Sequence, residues 1–125
     1  MISFLIQQKV NQDGPTADTN YTNFTLVRKL DTVPFPLDFR ARARQEKNIT
    51  AYETERQLLE AFINKLHQFD PDLLIAHNLC GSVIEILLNR INMLRIGHWS
   101  RIGRMKRSNM PQRKNDGSAS SWVPR

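Results

Sequence analysis

Over residues 54–94 the chain reads as two helical runs separated by one short apolar stretch, and this unit restricts the fold more than any other feature. Leu58, Leu59, Phe62, Ile63, Leu66 and Phe69 recur at three- and four-residue spacing, which places them along one face of a helix over residues 54–69. Thr50 with Glu53, or Thr54 with Gln57, has the spacing of a capping box that would tie up the first free N–H groups. Asp70-Pro71 ends the run, because a residue before proline is pushed out of helical geometry. Leu73-Leu74-Ile75-Ala76 then has the length and apolarity of a strand buried in a parallel sheet. Gly81-Ser82 turns the chain into the second helix, with Ser82 and Glu85 at capping-box spacing. Val83, Ile84, Ile86, Leu87, Leu88, Ile91, Met93 and Leu94 cover more than one face, which predicts a largely buried helix.

The N-terminal part supplies strands. Residues 2–10 open on Ile2, Phe4, Leu5 and Ile6 and turn polar at Gln7, as a buried strand reaching solvent would. Residues 11–23, with Asp13-Gly14-Pro15 and many small polar side chains, read as a loop. Residues 24–30 alternate Phe24, Leu26, Arg28 and Leu30 against Thr25, Val27 and Lys29, a second strand pairing antiparallel with the first. Pro34 and Pro36 interrupt regular structure, and residues 40–47 suit a short exposed helix or a loop. Strand, strand, helix, strand, helix predicts an α/β sandwich with a mixed sheet and packed helices. At 125 residues there is enough chain for one modest core.

Charge divides the chain differently. Residues 1–94 carry 10 Lys/Arg against 11 Asp/Glu, and residues 95–125 carry 8 against Asp116 alone, so the formal +6 arises entirely in the last quarter. The division expected is an α/β domain over residues 1–94 and a basic loop segment with a flexible tail over residues 95–125. A basic segment beside a neutral domain points to a polyanion, nucleic acid being the commonest, or to a solvated loop kept soluble by its charge. Arg101, Arg104, Lys106 and Arg107 lie close together, with Trp99 as a stacking candidate and Ser108 and Asn109 as hydrogen-bonders. Such a mixture can hold phosphates and stack on bases, or it can pack its apolar members inward. Cys80 is the only cysteine, which excludes an internal disulfide. No secretory signal pattern and no run of membrane-spanning length is seen, so an intracellular setting is expected.

Catalytic constellations are sparse. Two-metal nuclease chemistry needs several carboxylates converging on one point. Here Asp70 and Asp72 flank a turn, Glu85 reads as a helix cap, and Glu53, Glu55 and Glu60 lie along the first helix. His77 with Cys80 has metal-ligand spacing but lacks the further ligands of a structural zinc site, and a capped strand end with a buried thiol is the favoured reading. No catalytic residue and no metal ligand is therefore assigned.

Three stretches resemble family B DNA polymerases: Glu55-Arg56-Gln57-Leu58-Leu59, residues 69–78, and Leu87-Leu88-Asn89-Arg90-Ile91-Asn92. The run over residues 98–111, with His98-Trp99-Ser100-Arg101-Ile102-Gly103-Arg104 and Ser108-Asn109-Met110-Pro111, is more specific. It is similar to the branch of that family that extends primase-made primers. The resemblance implies a truncated ribonuclease H-like exonuclease fold. In proofreading members the second exonuclease motif reads Asn-x-x-x-Phe-Asp, its aspartate binding catalytic metal. This chain reads Asn78-Leu79-Cys80-Gly81-Ser82-Val83, with Ser82 and Val83 in the last two places. Valine has no oxygen to offer magnesium, so the motif is read as degenerate.

The resemblance further implies a first exonuclease motif before Ile2, a third beyond Arg125, and polymerase motifs elsewhere. The function expected is thus a non-catalytic domain that supports a DNA-directed DNA polymerase in replication and touches DNA or an RNA–DNA primer-template. Trp99, Arg101, Arg104, Lys106, Arg107 and Asn109 are the candidate contacts. No cofactor is expected here and magnesium is expected for the full polymerase, with the remaining polymerase domains, primase and an accessory subunit as partners and the nucleus as location. The isolated chain is expected to self-associate. The alternatives are a metal-dependent 3′–5′ exonuclease and a stand-alone nucleic-acid-binding module.

Overall fold

The computed structural model describes residues 1–8, 21–113 and 122–123. The chain divides into two compact units, Met1–Leu58 and Leu59–Arg125. The first holds a three-stranded sheet in the order β1 (Ile2–Gln7), β2 (Tyr21–Arg28), β3 (Ile49–Tyr52). β1 and β2 are antiparallel with Phe4 opposite Phe24, while β2 and β3 are parallel. The sheet is mixed, as expected, and the parallel pair needs the long crossover that contains α1 (Phe39–Gln45).

Alternation sets the faces of the sheet. Ile2, Phe4 and Ile6 are half-buried, whereas Ser3 and Leu5 on the other face are exposed. The Phe4 and Phe24 rings stack at 5.3 Å on one face, and the Ser3 and Thr25 hydroxyls meet at 3.1 Å on the other. β1, expected as a buried strand whose far end reaches solvent, is instead half-buried on one face along its length. Leu26, in the middle strand, is completely buried. β2 starts at Tyr21 rather than Phe24 and stops at Arg28, and the rest of the expected N-terminal loop, residues 11–20, lies outside the described residues.

The third strand is not where the apolar pattern put it. Residues 73–76 form no strand; Leu73 is 72% and Ile75 85% exposed, and no described strand pairs with them. β3 instead comes from Ile49-Thr50-Ala51-Tyr52, whose Thr50 therefore cannot cap a helix. A strand exists only where another backbone pairs with it, and β2 offers its free edge to residues 49–52. α1 resolves the ambiguity at residues 40–47 as a helix; Phe35 stacks on Phe39 at 4.4 Å, and Arg42 pairs with Asp38 at 2.9 Å.

α2 (Glu55–Phe69) begins with the second of the two expected capping boxes. The Gln57 N–H donates to Thr54 Oγ1 at 3.2 Å, and the Thr54 N–H donates to Gln57 Oε1 at 3.4 Å. Arg28, at the end of β2, reaches Glu55 Oε2 at 3.3 Å and Asp31 Oδ1 at 2.7 Å. Glu55 sits in the first turn of α2, where a negative charge suits the helix dipole.

The second unit buries Leu59, Ile63 and Leu66 of α2, Leu88 and Ile91 of α3 (Ile84–Met93), and Ile96 beyond it. Burying each such side chain stabilises the fold by roughly 1.5–3 kcal/mol. α3 is not largely buried, contrary to its composition: Ile86 is 62% and Met93 70% exposed. These two lie on one helix face with Arg90, whose guanidinium approaches the Met93 sulfur at 3.9 Å. The expected Ser82–Glu85 capping box is absent as well. A single π-helical turn, Leu79–Val83, leads into α3, so Ser82 lies inside helical backbone instead of at a cap position. No described helix is long and apolar enough to cross a membrane. A two-stranded antiparallel ribbon, β4 (Gln112–Arg113) with β5 (Trp122–Val123), completes the described backbone.

Candidate nucleic-acid interface

The second unit contains all three described non-glycine residues with positive φ: Asp70 (43°), Asn78 (51°) and Arg95 (50°). Each stands where a helix ends or begins, and together they organise the candidate residues.

Asp70 closes α2. Its N–H donates to the Leu66 carbonyl at 2.9 Å, after which the backbone turns left-handed into Pro71. Arg104 holds the turn from outside. Its Nε donates to Asp70 Oδ1 at 2.8 Å, and its second nitrogen donates to the Asp70 carbonyl at 3.1 Å and to Asp72 Oδ1 at 2.7 Å. The Arg104 hydrogen bond keeps the Asp70 carboxyl below the usual carboxylate range, and the two carboxylates push the guanidinium up. Arg104 is therefore occupied by protein carboxylates, which separates it from the other basic candidates. Arg101, Lys106 and Arg107 are exposed.

Asn78 opens the turn over residues 78–83. Its side-chain amide donates to Ser82 Oγ at 3.3 Å, and its carbonyl accepts from the Ser82 N–H at 3.2 Å and the Val83 N–H at 3.5 Å. Asn78, Ser82 and Val83 are thus drawn together in the π turn, with Val83 42% exposed. Asn is among the residues that tolerate the left-handed conformation best, which fits it to the start of this turn. No three His, Cys, Asp or Glu side chains among the described residues converge as a metal site. The Cys80 side chain lies outside what is described.

Arg95 closes α3 through a Schellman motif. The Arg95 N–H donates to the Asn92 carbonyl at 3.0 Å, and the Ile96 N–H donates to the Ile91 carbonyl at 3.1 Å. Ile91 and Ile96 supply the hydrophobic contact such motifs favour, at 0% and 4% exposure. The exit borders a groove of about 810 Å³ lined by Asn89, Asn92, Arg95, Trp99, Asn109 and Met110 among others. Trp99 lies on a short 3-10 turn (Trp99–Ile102) and is half-buried. The structure so brings Trp99 and Asn109 to one groove, while Arg101, Arg104, Lys106 and Arg107 do not line it. Asn89, Asn92 and Arg95 were missed as site residues. The signal was the three-residue spacing of the two amides, which sets both on one helix face.

Residues 1–121 match the sequence profile of the DNA polymerase family B exonuclease domain. The chain belongs to that family. It is similar to the DNA polymerase alpha catalytic subunits of Sterkiella nova and Oxytricha trifallax, at 45% and 47% identity over 132 residues that take in 100% of this chain. The same subunit of Mus musculus is 41% identical over 92 residues, 73% of this chain. The chain spans 9% of the length of the first two relatives and 6% of the third. For the family B exonuclease domain, then, this chain offers a mixed three-stranded sheet, a π turn that starts at Asn78, and a groove beside the end of α3 that the basic side chains of residues 101–107 do not line.

Proposed function

We propose that this exonuclease-type domain is non-catalytic, supports a replicative DNA polymerase, and contacts nucleic acid through Arg101, Lys106 and Arg107. Val83 carries the reading. It stands where the family resemblance puts a metal-binding aspartate, and its hydrocarbon side chain cannot ligate a divalent ion. The neighbouring polar groups do not compensate, since the Asn78 amide is hydrogen-bonded to the Ser82 hydroxyl. The motif residues therefore do not fit a magnesium ion, and no hydrolytic step is drawn through one.

The finer fold, ribonuclease H-like, belongs to the same proposal and is supported by the family match and by the mixed sheet. So do the properties of the longer polymerase: primer extension with magnesium, a nuclear location, and primase with an accessory subunit as partners. Exposed Leu73 and Ile75 favour self-association of the isolated chain. Sedimentation showing one monomeric species at every concentration would remove that part.

The deciding test is fluorescence anisotropy of a labelled primer-template at low and moderate salt, with an Arg101→Ala/Lys106→Ala/Arg107→Ala variant beside the parent chain. Binding that weakens with salt and is lost in the variant is expected, because each phosphate contact releases counterions. No binding at low salt would leave scaffold as the only role. Magnesium-stimulated degradation of single-stranded DNA would overturn the non-catalytic reading.

A further inference from the structure

The groove beside the end of α3 is chemically unlike the basic segment that follows it. Its lining residues include three asparagines (Asn89, Asn92 and Asn109), Arg95 and Trp99, beside aliphatic Leu88 and Pro111. Glu85, from the first turn of α3, also borders it. Glu85 and Arg95 give the groove one charge of each sign, so charge alone does not select its occupant. Carboxamides present donor and acceptor together, as the edge of a nucleobase does. An indole beside them offers the flat apolar surface on which any base can stack.

A second observation converges on the same groove. Arg95 occupies the left-handed position of the Schellman motif, where glycine is the usual residue. A residue kept in a disfavoured conformation beside a cavity points to a use for its side chain. Glycine is not far away, since Gly97 also borders the groove, yet the left-handed position belongs to Arg95. A β-carbon on Gly97 would meet nothing within 4 Å, so its position opens into space.

We infer that this groove is a subsite for one unpaired nucleobase, stacked on Trp99, read by the Asn89, Asn92 and Asn109 amides, with Arg95 on the adjoining phosphate. The inference rests on the proposal that the domain meets nucleic acid, and it adds where a single base goes while Arg101, Lys106 and Arg107 hold the backbone. Asn78, Ser82 and Val83 do not line the groove, although Glu85, two residues beyond Val83, does. Sequence preference should be weak, because stacking serves every base.

Trp99 itself reports on the test. The chain has two tryptophans, so Trp122→Phe leaves Trp99 as the sole indole. A single-stranded deoxyoligonucleotide should quench its emission saturably, and an abasic oligomer of the same length should do so with roughly five-fold or greater loss of apparent affinity. Anisotropy should still detect the abasic oligomer through the basic segment. Trp99→Leu removes the stacking surface and should weaken anisotropy binding of the base-bearing oligomer to the level of the abasic one, while the thermal transition persists. Arg95→Gly should fold at least as stably yet bind more weakly, a pairing that a purely structural role would not produce. Equal quenching by both oligomers, or none despite anisotropy binding, would overturn the subsite and leave the basic-segment proposal standing. Absence of both signals would overturn the two together.

Discussion

The two long helices leave their last turns in the same way and are secured by opposite means. α2 exits through Asp70 and α3 through Arg95, each a non-glycine residue at positive φ. At Asp70 the turn is held by an exposed clamp, with Arg104 bonded to both aspartates and to a backbone carbonyl. At Arg95 it is held by backbone hydrogen bonds and by Ile96 folded back into the interior. The first device depends on charge and should respond to pH and salt; the second depends on burial and should not. The difference also settles what each arginine can do. Arg104 is used up in holding a turn, whereas Arg95 borders a groove.

The largest effect expected tests the buried exit. Ile96→Ala should destabilise the chain by about 2–5 kcal/mol, the usual range when a buried isoleucine is truncated and the space incompletely refilled. Urea unfolding followed by circular dichroism measures it. A loss below roughly 1 kcal/mol would mean that the Schellman hydrogen bonds, and not burial, close α3.

Next in size is the backbone itself. Arg95→Gly removes a left-handed penalty of roughly 1–2 kcal/mol against about 0.4–1 kcal/mol of added unfolded-state entropy, so a net gain between zero and roughly 1.6 kcal/mol is expected. Asp70→Gly relieves the same backbone conformation but deletes a carboxylate that Arg104 uses, so it should not stabilise. Thermal melts of the two variants side by side sharpen the contrast. Equal stabilisation by both would show that the clamp contributes nothing.

How much of this was legible depends on how local each feature is. α2 could be read because its apolar spacing, its Thr54–Gln57 cap and its Asp70-Pro71 stop all lie within one stretch of chain. The β1–β2 pair was legible from the apolar run that opens the chain and from the alternation over residues 24–30. The third strand was not, because an apolar run reveals the wish to be buried and says nothing of a partner's edge. Residues 73–76 are the more apolar, yet Ile49–Tyr52 pairs with β2. The buried face of α3 was over-read for a related reason: eight apolar residues do not reveal how much neighbouring chain is present to cover them. Among the site residues, Trp99 and Asn109 were named, but the groove that joins them to Asn89, Asn92 and Arg95 depends on how the chain folds back after α3. Arg104 was read as one of four alike, and only its meeting with Asp70, 34 positions away, sets it apart.

The smallest effect expected is the most specific, since it concerns the clamp alone. Arg104 lowers the Asp70 carboxyl in the folded chain below its ordinary value of 3.8. A depressed acid contributes stability that is fully present above its unfolded pKa and is lost as pH falls through the folded one. The clamp is therefore intact at neutral pH and should release only below about pH 4, where Asp70 takes up a proton. Carboxyl chemical shifts followed by NMR from pH 7 downward should give Asp70 a midpoint below the ordinary value. The Arg104→Ala chain should return it toward that value, and added salt should shift the parent the same way by a smaller amount, because exposed charges are screened. Across the same window the Arg95 and Ile96 amides should hold their shifts, since backbone bonds and a buried isoleucine contain nothing that titrates there. If the Ile96 amide moved in step with Asp70, the two exits would be one cooperative device, and the contrast between a charged closure and a buried one would fail.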